Sequence, residues 1–154
     1  GEKLASIDPE HAEDYRAEAN EFADRARRVA REARERYQGL TQQQRKIVIY
    51  HKSFEYLTDL LALSVVATIE PRPGIEPNPR HVSSVLSRMR AQDVGVILQE
   101  EFYPQNVADT LANLTDAELV VIPGHTRFGD GQTYFEHFEE VADALFRALS
   151  SGGE

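Results

Sequence analysis

Lys46-Ile47-Val48-Ile49-Tyr50-His51 is a short run of apolar, mostly β-branched residues that ends on a histidine. Its length and composition predict a buried strand. Further apolar runs follow at residues 64–69, 94–98 and 119–122, and segments with helical spacing separate them. Apolar strands that alternate with helices are typical of a parallel sheet covered on both faces. We therefore predict an α/β fold with a four-stranded parallel sheet and helices on both faces.

The segments after the strands predict the helices of this fold. Apolar residues at helical spacing place them at about residues 54–61, 80–91, 105–114 and 134–149. Residues 70–79 contain four prolines, which exclude regular structure there.

A long helix is predicted ahead of the sheet. Asp8 is placed to act as the N-cap, and Pro9 suits the first turn. Apolar residues then recur every three or four positions as far as Tyr37, which predicts one continuous helix. If it ends near Arg36, it is on the order of 40 Å long, more than the core of such a small domain requires.

The composition excludes several classes of function. Seventeen basic and twenty-six acidic residues give a net charge of -9, which disfavours binding to nucleic acid or to an anionic membrane surface. The chain has no cysteine, so disulfides, thiolate catalysis and cysteine-based zinc sites are excluded. The first residues lack the apolar core of a signal peptide. We expect any metal ligands to be His, Asp, Glu or backbone oxygen.

Polar residues with metal-binding chemistry follow each predicted strand. His51, Glu70, the pair Glu100 and Glu101, and His125 come at the ends of strands one to four. Ligands of open α/β sheets bind at the carboxyl ends of the strands, where these side chains are brought to one edge. Imidazoles and carboxylates bind divalent ions, so the pattern predicts a metal site at this edge.

Each residue of this edge also has a purely structural interpretation. Taken by itself, a histidine at a strand end such as His51 is more often a hydrogen-bonded structural residue than a ligand, although the neighbouring polar strand ends favour a ligand. Glu101 is better explained by exposure to solvent. Glu70 either accepts backbone N–H groups of the proline-rich loop or has a direct role. Glu100 is a candidate to orient His51 as a hydrogen-bond acceptor. His125 lies in a polar, glycine-containing stretch, where a histidine is either simply exposed or closes over an ion.

The remaining histidines are interpreted as surface or capping residues. His11 lies near a helix start, His81 begins another helix and His137 lies within the last helix.

Several segments resemble one family of binding proteins. The residues that carry the resemblance are Ile49-Tyr50-His51-Lys52-Ser53-Phe54-Glu55-Tyr56-Leu57, Val66-Ala67-Thr68-Ile69-Glu70-Pro71-Arg72-Pro73-Gly74-Ile75-Glu76-Pro77, Val96-Ile97-Leu98-Gln99-Glu100 with Tyr103, and Tyr134-Phe135. They resemble the C-terminal lobe of the zinc and manganese solute-binding proteins of metal ABC importers, the TroA- and ZnuA-like cluster A-I. The opening Asp8-Pro9 helix resembles the linker helix that joins the two lobes in that family.

The resemblance implies a division of the chain and a set of ligands. Residues 1–39 correspond to the interlobe linker helix, 40–150 to the C-terminal α/β lobe and 151–154 to a frayed tail, while the N-terminal lobe is absent. In the family the ion lies between the lobes, and a histidine at the position of His51 binds it directly. A carboxylate often comes from the loop before the last helix. Here His125 replaces that acid, or Asp130 reaches in, or water takes the position; we rank His125 first.

The function implied is capture of a zinc ion, with manganese as the alternative, and its delivery to the membrane permease of an ABC importer. The metal is then the transported ligand of a protein that is not an enzyme, located in the periplasm or anchored outside the membrane. His51 and His125 would be ligands, with Glu100, Glu70 and Asp130 in support. Since tetrahedral zinc takes three or four protein ligands, the chain alone should bind it weakly.

Two other classes of function remain open at this stage. A hydrolase or lyase would use His51 as a general base oriented by Glu100. An adhesin-like interaction module would use the exposed stripe of the long helix, and the fragment would then form a homodimer through that helix.

Overall fold

The computed structural model describes residues 1–151. Residues 152–154 of the predicted frayed tail lie outside the described residues. Ser151, which was assigned to that tail, is instead the last residue of the final helix.

Four parallel strands form one sheet, as predicted. Their order across the sheet is β2-β1-β3-β4, and their bounds are Lys46–Ile49 for β1, Ser64–Thr68 for β2, Val96–Glu100 for β3 and Glu118–Ile122 for β4. Because all four run in the same direction, their carboxyl ends meet at one edge. The third strand differs from the prediction, since it begins two residues later and includes the polar Gln99 and Glu100, both of which are buried.

Six α-helices and two short 3-10 helices complete the described part of the chain. The α-helices are α1 Glu2–Ile7, α2 Ala12–Gln38, α3 Glu55–Leu60, α4 Pro79–Gln92, α5 Asn106–Thr115 and α6 Tyr134–Ser151, and the 3-10 helices are Pro9–His11 and Phe128–Asp130. The prediction missed α1, which packs against α2. None of these helices combines the length and apolar character that a membrane-spanning segment requires.

The start of the long helix differs in detail from the prediction. Asp8 precedes the 3-10 helix, but its side chain caps no backbone N–H group. Its carboxylate instead lies 2.9 Å from the Tyr15 hydroxyl, which donates to it, and 3.0 Å from Nδ1 of His11. Asp8 therefore ties the first turn of α2 to the segment before it.

The sheet separates two apolar cores. Side chains alternate between the faces of a strand, so Ile49 and Leu98 face one core while Val48 and Ile97 face the other. The first core is completed by α2, α3 and α6, and the second by α4 and α5. A buried aliphatic side chain contributes about 1.5–3 kcal/mol, so these clusters hold the strand ends in place.

The apolar stripe of α2 is used within the chain. Tyr37 is buried, and its hydroxyl donates to the carbonyl oxygen of Ala142 at 2.7 Å. Nearer the start of the helix, the ring of Phe22 lies against Tyr134 and Phe135, with centroid distances of 5.9 and 5.0 Å. The homodimer expected to form through this helix therefore has no support.

Candidate metal site

A histidine and a carboxylate meet at the carboxyl edge of the sheet. His51 lies two residues beyond β1 and Glu70 two residues beyond β2, and these strands are neighbours. Nδ1 of His51 is hydrogen-bonded to Oε2 of Glu70. The other oxygen of Glu70 accepts the backbone N–H of Gly74 at 2.7 Å. Glu70 therefore serves the proline-rich loop and the histidine at the same time.

The contact with Glu70 fixes which nitrogen of His51 carries the proton. A carboxylate can only accept a hydrogen bond, so Nδ1 must donate. In the neutral imidazole, Nε2 then keeps its lone pair for a ligand. A histidine held by a carboxylate in this way is the usual arrangement of a metal-binding imidazole. The His51 side chain is 23% exposed, so it is accessible to an ion from outside.

Two stacked tyrosine rings lie beside His51. The rings of Tyr50 and Tyr103 are stacked, with centroids 4.5 Å apart, and the Tyr103 ring lies 5.7 Å from that of His51. Burial raises the pKa of Tyr103, and the negative charges of Glu100 and Glu70 raise it further. Burial also raises the pKa of Tyr50, with a further contribution from Glu70. Both hydroxyls are therefore neutral at physiological pH.

Glu100 does not orient His51, contrary to one of our expectations. Its Oε1 accepts a hydrogen bond from the Ser53 hydroxyl, and its Oε2 is buried without a hydrogen-bond donor among residues 1–151. The reason lies in the loops. Glu100 is the last residue of β3 and contacts Ser53, whereas Glu70 lies on the loop after β2, where it also accepts the backbone N–H of Gly74.

His125 is an exposed residue of the loop after β4, and the residues on either side of it are packed against the protein. Gly124 lies under the ring of Phe102 so closely that a Cβ atom would collide with it. Thr126, on the other side, is buried, while His125 itself is exposed. Asp130 is also exposed, at the end of a 3-10 helix five residues further on. Among the residues described, neither side chain makes a hydrogen bond that would fix its direction.

The loop that carries His125 is attached to α6 by a group that the sequence analysis missed. One carboxylate oxygen of Glu140 accepts from the Arg127 guanidinium and from the Gln132 amide, both at 2.7 Å. The backbone N–H of Arg127 also donates to the side-chain oxygen of Gln132 at 2.9 Å. Three hydrogen bonds thus close the loop between residues 127 and 132. Nothing in the local spacing indicates such a contact, because its partners are brought together only by the fold.

The other predicted residues lie away from this contact or face solvent. Glu101 is exposed, and His11 pairs with Asp8 on the surface. His81 is half-buried rather than on the surface, and it is not itself the cap: its backbone N–H donates to the capping side chain of Asn78 at 3.0 Å. Its ring Nε2 donates to the carbonyl oxygen of Thr68, the last residue of β2, also at 3.0 Å. His137 differs from the prediction, because it is half-buried and its Nδ1 is enclosed without a partner in the described part of the chain.

Residues 1–151 do not form a complete metal site by themselves. Within that range no three His, Asp or Glu side chains converge closely enough to hold an ion. A tetrahedral or octahedral ion bound at His51 therefore requires further ligands from a flexible side chain, from water or from another part of a longer protein.

The segment that follows each of the four strands contains an exposed large apolar side chain. These are Tyr56, Ile75, Phe102 and Phe128, with exposures of 93%, 55%, 62% and 73%. We call these four residues the apolar rim. All four lie on segments that begin at the carboxyl edge, as His51 and His125 do, and exposed apolar residues that form a patch mark contact surfaces.

Comparison with known proteins identifies relatives over nearly the full chain. Residues 1–148 match the family model described as ZnuA, zinc-uptake complex component A periplasmic. A putative metal-binding protein of Treponema pallidum is 24% identical over 150 residues, which are 97% of this chain and 47% of the relative.

Solved structures share the fold. The solute-binding protein FpvC of Pseudomonas aeruginosa in complex with Mn²⁺ is 26% identical with a TM-score of 0.77, and the match covers 99% of this chain and 57% of that chain. A Zn(II)-bound variant of AdcAII from Streptococcus pneumoniae is also 26% identical, with a TM-score of 0.77 and coverage of 96% and 53%. The chain thus spans about half the length of the relatives that it matches.

Proposed function

We propose that this chain, which belongs to the ZnuA family of periplasmic zinc-uptake components, forms one half of a site that captures a divalent metal ion for import. The observation that carries the proposal is the pairing of His51 with Glu70, which leaves Nε2 of an accessible imidazole free to bind a cation. In this function the ion is cargo, bound and released without chemical change.

His51 is the primary ligand in this proposal, and Glu70 holds it in the required tautomer. His125 is the second ligand, because it is exposed at the tip of a loop on the same edge of the sheet. The His125 side chain would rotate towards the ion in order to bind it. Asp130, on the same loop, is the alternative donor. Two imidazoles favour zinc over manganese, which prefers oxygen ligands.

A second lobe supplies the remaining ligands in this proposal. The chain covers only 57% of the FpvC structure and 47% of the Treponema relative, so both relatives contain a comparable length of additional chain. The apolar rim supports this assignment, since its residues follow the same strand ends as His51 and His125 and would be covered by a lobe that closes over the ion.

Delivery to the permease of an ABC importer follows from the family and remains part of the proposal. The same holds for a periplasmic or extracellular location of the intact protein, which the family description supports. We also propose that the chain is a binding protein and not an enzyme. The family description, which names zinc uptake, supports this choice over the alternative of acid–base catalysis.

Calorimetric titration with zinc tests the proposed function. We expect weak binding to the chain itself and at least a tenfold loss of affinity in the His51→Ala variant, since the loss of even a partner behind a ligand typically lowers metal affinity by about 10- to 100-fold. His11→Ala is the matched control, because this histidine pairs with Asp8 on the surface. Equal affinity of the wild-type chain and the His51→Ala variant would contradict the proposal.

A further inference from the structure

Glu100 is a buried carboxylate with little compensation for its charge. It is 4% exposed, and its polar contact is the neutral hydroxyl of Ser53. Its Oε2 has no donor within residues 1–151, and no Lys, Arg or His of that range lies at ion-pair distance. Removing a carboxylate from water without a partner is unfavourable, so a role in folding alone does not explain this residue.

The position of Glu100 places its charge beside the candidate ligand. Its carboxylate accepts a hydrogen bond from Ser53, which lies two residues after His51. Glu100 is also the last residue of β3, the strand next to β1. By side-chain alternation, Glu100 faces the same side of the sheet as Leu98 and Val96, the side that Ile49 also faces. Glu100 and Glu70 both act on the pKa of Tyr103, whose ring lies 5.7 Å from that of His51. The charges of both carboxylates therefore act on the aromatic ring that lies next to the imidazole.

We propose that Glu100 is a positioning and charge-compensating residue that strengthens cation binding at His51 through its negative charge, without being a ligand itself. The inference rests on the proposed function of His51. A divalent cation arriving at Nε2 would offset the charge of Glu100 in a region from which water is largely excluded, where charges interact more strongly than in solvent. The hydrogen bond from Ser53 holds one oxygen in place and leaves the other unpaired.

A structural role and a role in charge compensation make opposite predictions for Glu100→Gln. The amide is of similar size, and its oxygen can still accept from Ser53, but the charge is gone. If Glu100 compensates a cation, the variant should unfold at the same or a higher temperature without metal, because an unpaired buried charge has been removed, while its zinc affinity falls. If Glu100 only supports the fold, the unfolding temperature should fall, and zinc affinity should either fall together with it or stay unchanged.

The experiment compares four proteins by thermal unfolding without metal and by zinc calorimetry at low and high salt. These are the wild-type chain and the Glu100→Gln, Glu101→Gln and Ser53→Ala variants. Glu101→Gln is the matched control, because this substitution removes the same charge from an exposed side chain one residue away. We expect Glu100→Gln to lose about 10- to 100-fold in zinc affinity, a typical loss for groups just outside the ligand shell. The loss should persist at high salt, since buried charges are screened little.

The outcomes separate this inference from the function on which it rests. A smaller loss in Ser53→Ala than in Glu100→Gln supports an effect of charge, whereas equal losses would show that Glu100 acts only by holding the loop and would overturn the inference. Equal affinities of Glu100→Gln and Glu101→Gln would also overturn it, while the loss in His51→Ala would still support the proposed function. If His51→Ala binds zinc as the wild type does, both proposals fail.

Discussion

Replacing Glu70 by glutamine tests whether this carboxylate determines the state of His51. In the wild-type chain, one oxygen accepts from Nδ1 of His51 and the other accepts from the backbone N–H of Gly74 at 2.7 Å. A glutamine has one acceptor oxygen and one NH₂ group, so it can accept only one of these two bonds in the same geometry. If its NH₂ group faces His51, Nδ1 must become the acceptor and the proton moves to Nε2.

The expected cost follows from these contacts. Loss of a carboxylate behind a metal-binding histidine lowers metal affinity by about 10- to 100-fold, which corresponds to about 1.4–2.7 kcal/mol. The side chain of Glu70 is only 9% exposed, so the unmatched donor should also lower the free energy of unfolding by about 1–3 kcal/mol. For a protein of this size each kcal/mol lowers the unfolding temperature by about 2–4 °C.

Nitrogen-15 NMR of the imidazole and zinc calorimetry together measure both effects. Two-bond proton–nitrogen spectra should show Nδ1–H in the wild-type chain and a shift towards Nε2–H in Glu70→Gln. Glu76→Gln is the matched control, because Glu76 is an exposed glutamate in the same loop. An unchanged tautomer together with unchanged zinc affinity in Glu70→Gln would refute the assignment of Glu70 as the group that orients His51.

Two further variants test the packing of α6 and the loop before it. Tyr37→Phe removes the hydrogen bond to Ala142 and should cost about 1 kcal/mol at pH 7 by urea unfolding. Because burial raises the pKa of Tyr37 above its ordinary value of 10.0, the wild-type chain should lose more stability than the variant as the pH rises beyond that value, and a difference between the two proteins that does not shrink there would contradict this. Glu140→Ala should speed hydrogen exchange at the Arg127 amide, whereas Glu139→Ala should not. The hydrogen bond from Arg127 lowers the pKa of Glu140 below its ordinary value of 4.5. The exposed pair should therefore stabilise the fold by less than about 1 kcal/mol above that pH, and this stabilisation should be lost as the pH falls. Equal acid unfolding of Glu140→Ala and Glu139→Ala would exclude it.

Much of the fold could be predicted because it depends on local patterns. The apolar run of β1 and the helical spacing of α2 are strong signals over their own length. The six-residue α1 was missed, since so short a helix has little stability alone and forms here by packing on α2. The polar end of β3 was also missed, because Gln99 and Glu100 look like loop residues although both are buried.

The candidate site could be predicted in position but not in its contacts. Parallel strands bring His51, Glu70 and Glu100 to one edge whatever their order in the sheet. Strand β1 lies between β2 and β3, so both carboxylates are neighbours of the histidine. Glu70 contacts the imidazole while Glu100 contacts Ser53, and sequence spacing does not determine this choice. The attachment of Arg127 to Glu140 was not foreseeable for the same reason.

The long helix has a mechanical consequence. The first ten residues of α2 extend beyond the contact of Phe22 with Phe135, and α1 is folded onto this part. Ten helical residues measure about 15 Å, so a tilt of roughly 10° about that contact would displace the tip by about 2.6 Å. A small repacking of the Phe135 ring that tilted α2 would therefore displace α1 and the start of α2 by more than the ring itself moves.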